Sequence, residues 1–247
     1  MRVNLYIHHD TVTSHIMTRG INFRTEDFET KFIPENIILA QAPTAFGHFD
    51  MRTNFKILRG KQEVLEYMAY CQNQNVRMSN WIDFESVALM HQLTGNEIAE
   101  ILYLFHANQT LRSAFFYKLQ NNYVYLVLPN GLVKTYYRHV THFYPRFQRV
   151  MQEQVQQLVN ETKSIFSKKS TVSPVPEEIA QRLAPLFSRG LKVDVVQAYL
   201  EQQHWIVPLY IIEDELTFIT VNQPLTDAIG HLSYSLTNQT WEIVMQE

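Results

Sequence analysis

Residues 94–137 read TGNEIAEILYLFHANQTLRSAFFYKLQNNYVYLVLPNGLVKTYY and carry the strongest local pattern in the chain. Thr94 and Glu97 form a capping box, in which each side chain satisfies a backbone donor of the first helical turn. Apolar residues then recur at helical spacing as far as Phe105, and a second short run of the same kind begins at Thr110. The first half of the stretch therefore predicts two consecutive helices.

The second half of the same stretch predicts a β-hairpin. Residues 123–128 and 132–137 are apolar runs of the length expected for strands. Asn130 and Gly131 lie between them, and this pair is typical of the positive φ that a tight hairpin turn requires. The complete order is helix, helix, hairpin.

A fainter copy of this order lies at residues 178–221. Residues 178–180 repeat the Glu-Ile-Ala sequence of residues 97–99, and Tyr117 and Tyr199 each follow an aromatic helix end by twelve residues. Such self-similarity predicts a repeated structural unit. It is equally consistent with coincidence, because any helix-helix-hairpin unit reuses apolar residues at similar spacing.

Preceded by a helix expected at residues 84–93, the first unit resembles a winged helix-turn-helix module over residues 84–138. The copy at residues 177–221 resembles one more faintly. The resemblance implies a third helix and a wing that face a partner, and it assigns nucleic-acid contacts to six residues: Arg112, Ser113, Phe116, Lys118, Lys134 and Arg138.

These patterns predict an α+β fold, in which an N-terminal α+β region precedes two winged-helix-like units. Alternating apolar residues near the N-terminus predict short strands, and an amphipathic helix is expected at residues 61–72. The predicted domains are the N-terminal region at 1–80, the first unit with a long helix at 81–162, a Ser- and Lys-rich linker at 163–175, and the second unit with a C-terminal hairpin at 176–247.

Charge is distributed unevenly along the sequence, whose net charge is −3. Residues 101–152, called the acid-free stretch below, contain six basic residues and no Asp or Glu. Charge asymmetry of this kind indicates an anionic partner. The alternative is that buried strands exclude carboxylates and leave a solvated basic rim. The six basic residues are Arg112, Lys118, Lys134, Arg138, Arg146 and Arg149.

Enzyme motifs are scarce in the chain. Its seven glycines are too dispersed for a phosphate-binding loop, and one cysteine cannot build a Cys-based zinc site. A metal-dependent hydrolase would have to use histidine and aspartate, and the candidate ligands are His8, His9, Asp10 and His48. His139 and His142 are spaced so that a helix could bring them together, but no carboxylate lies near them in sequence.

We therefore expect a cytoplasmic, non-enzymatic binding or regulatory protein without a cofactor, with nucleic acid or another anion bound by the acid-free stretch. The alternatives are a protein-interaction or scaffold role and the His/Asp hydrolase. A long apolar stripe at residues 141–160 predicts a helix that packs on its own domain or on a second copy in a homodimer. No apolar run approaches the length of about 20 residues that spans a membrane.

Overall fold

A computed structural model describes most of the chain. The described residues are 2–28, 32–40, 45–106, 114–128, 131–162, 171–220 and 227–246. They form two compact units. Unit 1 consists of Met1–Ile21 and Phe143–Glu247, and unit 2 consists of Asn22–His142.

The described residues form thirteen strands, six α-helices and two 3-10 turns. The strands are β1 Leu5–Asp10, β2 His15–Arg19, β3 Asn36–Leu39, β4 His48–Phe49, β5 Lys56–Arg59, β6 Trp81–Phe84, β7 Tyr123–Val127, β8 Val133–Tyr137, β9 Leu191–Val193, β10 Tyr199–Glu201, β11 His204–Ile211, β12 Gly230–Ser235 and β13 Trp241–Met245. The helices are α1 Gly60–Asn73, α2 Val87–Met90, α3 Gly95–His106, α4 Val140–Glu161, α5 Glu177–Phe187 and α6 Glu215–Thr220, with 3-10 turns at Thr25–Phe28 and Tyr117–Leu119.

Unit 1 is built on an antiparallel sheet with the strand order β13-β12-β11-β9-β1-β2, and β10 also pairs with β11. Leu5, Val193 and Leu209 are cross-strand neighbours and are fully buried. Side chains that are directly opposite each other in register lie on the same face of a sheet. Helix α5 contacts both β1 and β13, so it crosses the sheet. The apolar row therefore belongs to the core of unit 1.

The opposite face of this sheet buries polar side chains. Lys192 lies between Tyr6 and Tyr210 in register, and its ammonium is 2.6 Å from the carboxylate of Asp194. Buried charges are tolerated when they are paired. Burial first, and the nearby Glu215 carboxylate second, raise the pKa of Tyr6 to about 12.

Helix α4 fixes the segment that leads into α5. Gln152 donates to the carbonyl of Val172, and the Gln156 side chain accepts the N–H of Val172 at 2.7 Å. One helical turn earlier, Gln148 donates to the carbonyl of Val175. Glutamines at i, i+4 spacing lie on one helix face, so the helix presents a ladder of amides to an extended chain.

Unit 2 contains six antiparallel strands in the order β8-β7-β6-β3-β5-β4. An aromatic cluster fills one side of it, where the Phe23 ring lies 5.2 Å from Trp81 and 5.6 Å from Tyr123. Trp81 is also stacked on Tyr125 at 5.8 Å. Aromatic pairs at such distances contribute beyond their buried area. Aromatic rings therefore form a continuous cluster in the core of unit 2.

The prediction of an α+β fold with two winged-helix-like units is wrong. In the first predicted winged-helix-like segment, residues 84–138, the capping box, α3 and the β7–β8 hairpin are confirmed. The expected helix at 84–93 is reduced to α2, because Phe84 still belongs to β6, and β6 pairs with both β7 and β3. The hairpin is thus part of a larger sheet and not a wing.

The prediction of a second winged-helix-like segment at residues 177–221 is also wrong. Residues expected to form its second helix form the strands β9 and β10, and β9 pairs with the N-terminal strand β1. The hairpin expected from residues 205–221 does not form, since β11 pairs with β12 while Glu215–Thr220 is helical. Residues 177–220 therefore do not form the predicted helix-helix-hairpin repeat.

Other predicted elements stand as follows. The helices expected at 61–72 and 141–160 are confirmed as α1 and α4. Of the predicted linker, residues 163–170 lie outside the described residues, and residues 171–175 run along α4. Within the described ranges, no helix is long and apolar enough to cross a membrane.

Candidate ligand-binding cleft

The structure describes four of the six residues that the sequence assigns to nucleic acid. Arg112 and Ser113 lie outside the described residues. Phe116 is buried, and Lys134 is only 3% exposed, with its ammonium 5.2 Å from the centre of the Tyr136 ring. These side chains do not present a surface to a partner.

The remaining basic residues of the acid-free stretch are engaged within the fold. Lys118 forms an ion pair with Glu97 at 2.7 Å, and this ammonium, with donors from Thr94, lowers the pKa of Glu97 to about 2. Arg149 pairs with Glu153 at 3.2 Å, and Arg146 is fully buried. The described members of the set therefore share no single exposed surface.

The alternative metal ligands do not form a metal site. His8, His9, Asp10 and His48 are all described, and among the described residues no group of three or more His, Cys, Asp or Glu side chains is placed to hold a metal ion. Asp10 instead accepts the N–H groups of Val12 and Thr13 and so closes the turn between β1 and β2.

A cleft in unit 2 gathers polar and aromatic side chains from several elements. It has a volume of about 610 Å³ and is called the Asp83 cleft here. Residues 32–35, the end of β6, the 3-10 turn at Tyr117–Leu119 and the start of α4 contribute to its wall. Its polar and aromatic lining includes Asp83, Asn122, Tyr123, Arg138, His139 and His142.

Asp83 organises the floor of this cleft. Its carboxylate accepts the N–H of Asn122 at 2.9 Å and the N–H of Tyr123 at 2.6 Å. Burial raises the pKa of Asp83 to about 7, although these N–H donors and the Arg138 guanidinium act in the opposite direction. The carboxyl group therefore changes protonation near neutral pH, which is typical of functional sites.

Asn121 holds the loop in front of Asp83. Its side chain accepts the N–H of Phe116 at 2.8 Å and donates to the carbonyl of Ala114. The preceding residue, Gln120, adopts a left-handed conformation with φ 51°. Arg138 donates from Nε to the Asn121 carbonyl at 2.6 Å, so the guanidinium is fixed at the cleft wall.

An aromatic wall stands beside this polar floor. The His142 ring lies 3.9 Å from Phe32, 5.5 Å from Tyr123 and 5.1 Å from His139, measured between ring centres. Burial, and secondarily the Arg138 charge, lower the pKa of His139. Tyr117 also lines the cleft, with 88% of its surface exposed.

Charges around the cleft nearly balance. Lys61 and Arg138 contribute two cations, and Lys61 pairs with Glu35 at 3.6 Å. Glu85 and the partly protonated Asp83 contribute the remaining negative charge. A highly charged anion would therefore find little net attraction here, whereas a planar polar ligand would find rings and amide groups.

Sequence reasoning reached part of this site. It identified Arg138, and it noted that a helix could bring His139 and His142 together. It missed Asp83, although a carboxylate inside the apolar run Trp81–Phe84 is a usable signal, because a buried acid must be paired or hydrogen-bonded. Comparisons of the chain with protein-family models, with curated proteins and with solved structures found no match.

Proposed function

We propose that this protein acts by binding and that the Asp83 cleft takes the base of a nucleotide, either free or within a single strand. The observation that carries the proposal is the pair of rings at Phe32 and His142, with the exposed ring of Tyr117 in the same cleft lining, next to the fixed guanidinium of Arg138. Unstacked bases are bound by aromatic rings and arginine planes.

Stacking would supply most of the affinity. A base stacked on an aromatic side chain contributes about 1–3 kcal/mol. The side chains of Asn122 and Gln120 supply amide donors and acceptors at the same cleft, and such groups can bond to base edges. This set of groups favours a base over a polyphosphate, because the charges in the lining nearly cancel.

The proposal keeps nucleic acid as partner but changes the mode of binding. A duplex held by the six residues of the sequence prediction would need exposed cations, and Lys118 and Lys134 are engaged or buried. A single base needs only Arg138 from that set. The protein-interaction role stays a prediction, and no contact in the described residues favours it over the cleft.

The test is an equilibrium titration of fluorescein-labelled, mixed-sequence single strands of about 12 nucleotides, DNA and RNA, followed by anisotropy. Unlabelled mononucleotides then compete for the site. We expect Tyr117→Ala to weaken binding at least about fivefold, since one stacking ring is lost. Tyr117 is exposed, so the substitution should leave the fold intact.

The matched control is Tyr199→Ala, which removes a half-exposed tyrosine from β10 in unit 1. It should leave affinity unchanged. Efficient competition by mononucleotides would identify a free nucleotide as the ligand, and competition only by strands would identify nucleic acid. Absence of binding to either, or equal loss in both variants, would refute the proposal.

A further inference from the structure

A second cavity of about 730 Å³ lies in unit 2, away from the Asp83 cleft, and no residue lines both. We call it the Arg77 cavity. It is formed by residues 22–24, the last turns of α1 and residues 75–78. Its volume falls within the range of about 300–1,000 Å³ that is typical of small-molecule sites.

The cavity has a polar rim without acidic residues. Arg24 and Arg77 line it together with the amide side chains of Asn22, Gln72 and Asn75, all of them exposed, and its described lining contains no Asp or Glu. Within the described part of the chain, Arg77 has no carboxylate at ion-pair distance. Arg77 therefore favours a negative charge at this rim.

The inner wall of the cavity is apolar. Phe23, Met68, Cys71 and Met78 line it, and each is at most 7% exposed. Methionine adapts its shape to different apolar ligands, because its side chain is unbranched and polarisable. An apolar chain or ring that enters from the rim would therefore meet side chains that can accommodate it.

We propose that the Arg77 cavity binds a small amphipathic carboxylate, with the carboxylate on the arginine rim and the apolar part on Met68 and Met78. The planar guanidinium donates two parallel hydrogen bonds to a carboxylate. We expect a monocarboxylate to bind better than a dicarboxylate. Gln72 of the rim donates to the Glu26 carboxylate at 3.0 Å, and that carboxylate would repel a second negative charge.

The test uses octanoate as probe and 1-octanol as its uncharged match. Full-length protein is labelled with carbon-13 at the methionine methyl groups, and the probe is titrated to about 10 mM, where millimolar binding is visible. We expect saturable shifts of the Met68 and Met78 methyl signals. Met51, which is 97% exposed and outside the cavity, should not move.

Charge recognition is tested by substitution. Arg77→Gln should weaken octanoate binding about tenfold, because it removes a charge-assisted pair of hydrogen bonds. Arg52→Gln makes the same change at an exposed arginine outside the cavity and should have no effect. Equal binding of octanol, unchanged affinity in Arg77→Gln, or unmoved Met68 and Met78 signals would each overturn the proposal.

Discussion

Asp83 ties the end of β6 to the start of β7. Its carboxylate binds the N–H groups of Asn122 and Tyr123, which are 39 and 40 residues away in sequence. These two donors lie where the loop becomes a strand, so the side chain fixes both the hairpin and the floor of the cleft. Removing one partner of such a buried pair leaves polar groups unsatisfied.

The raised pKa of Asp83 makes stability depend on pH. An unfolded aspartate ionises near about 3.9, whereas Asp83 in the fold has a pKa of about 7. Between these values the native state keeps a proton that the unfolded state has lost, so stability falls as pH rises from about 4 to about 7. The fall is at most about 4 kcal/mol.

Urea unfolding between about pH 4.5 and 7.5 measures this effect. We expect Asp83→Asn to have a smaller decline over that range than the wild type, whatever its absolute stability. Glu66→Gln, an exposed carboxylate on α1 that accepts from Gln62, should decline as the wild type does. Parallel curves for all three proteins would show that Asp83 ionises at its ordinary pKa.

Gly190 is a residue where only glycine fits. Its φ is +78°, and a Cβ atom would lie 2.1 Å from the carbonyl oxygen of Ile212. Gly190→Ala should therefore cost more than about 3 kcal/mol or prevent folding. Gly95→Ala is the control, since nothing lies within 4 Å of a Cβ at the start of α3 and alanine favours helices. Urea midpoints compare the two, and equal midpoints would contradict the expectation.

At the scale of elements, local sequence signals correctly predicted helices and strands where several signals agreed. The capping box located α3, and Asn-Gly between apolar runs located the β7–β8 hairpin. Signals failed in residues 191–220, where short apolar runs fit helix and strand alike. The N-cap role of Asp214, which accepts the N–H of Leu216, is the local signal that α6 is a helix.

Pairing between distant strands was beyond local reasoning. Strand β1 pairs with β9, whose residues are 184 to 188 positions away in sequence, and β11 pairs with β12 across the residues of α6. Such partners are chosen by the core that they share, because a sheet gains its stability from cross-strand side-chain contacts. For the same reason the Asp83 cleft, built from five separate segments, was only partly predictable.

The amide ladder of α4 gives a prediction at this scale. Gln156 accepts the N–H of Val172, whereas Gln157 beside it donates to Glu161 on the exposed side of the helix. We expect Gln156→Ala to destabilise the protein by about 1 kcal/mol, the usual value for a hydrogen bond to a buried segment. Gln157→Ala should stay within about 0.5 kcal/mol of the wild type. Thermal unfolding of both variants measures the difference. Equal stability of the two variants would show that the hydrogen bond of Gln156 does not stabilise the fold.

At the scale of the molecule, the uneven charge along the sequence does not correspond to an uneven charge of the folded unit. Unit 2 contains eleven basic and eleven acidic residues, so the part of the acid-free stretch that lies in it, residues 101–142, belongs to a unit without net charge. Acids from other segments reach its cations, as Glu97 reaches Lys118. Charge asymmetry along a sequence therefore does not by itself establish a charged surface, because folding brings distant segments together.

This neutrality predicts how binding should respond to salt. For single strands, log affinity falls against log salt with a slope of about −0.7 for each phosphate contact. Arg138 and Lys61 are the cations of the Asp83 cleft, so we expect a slope no steeper than about −1.5. The basic surface first expected from the sequence would engage four or more phosphates and give a slope of about −3 or steeper.

Anisotropy titrations at several salt concentrations between about 50 and 200 mM measure the slope. Arg138→Gln should make it shallower by about 0.7, because one phosphate contact is lost. Lys134→Gln should not change the slope, because a side chain that is 3% exposed cannot release counterions from a bound strand. A steep slope that becomes shallower in Lys134→Gln would instead show that the basic residues of the acid-free stretch are exposed and bind the strand, and the cleft would then not be the binding site.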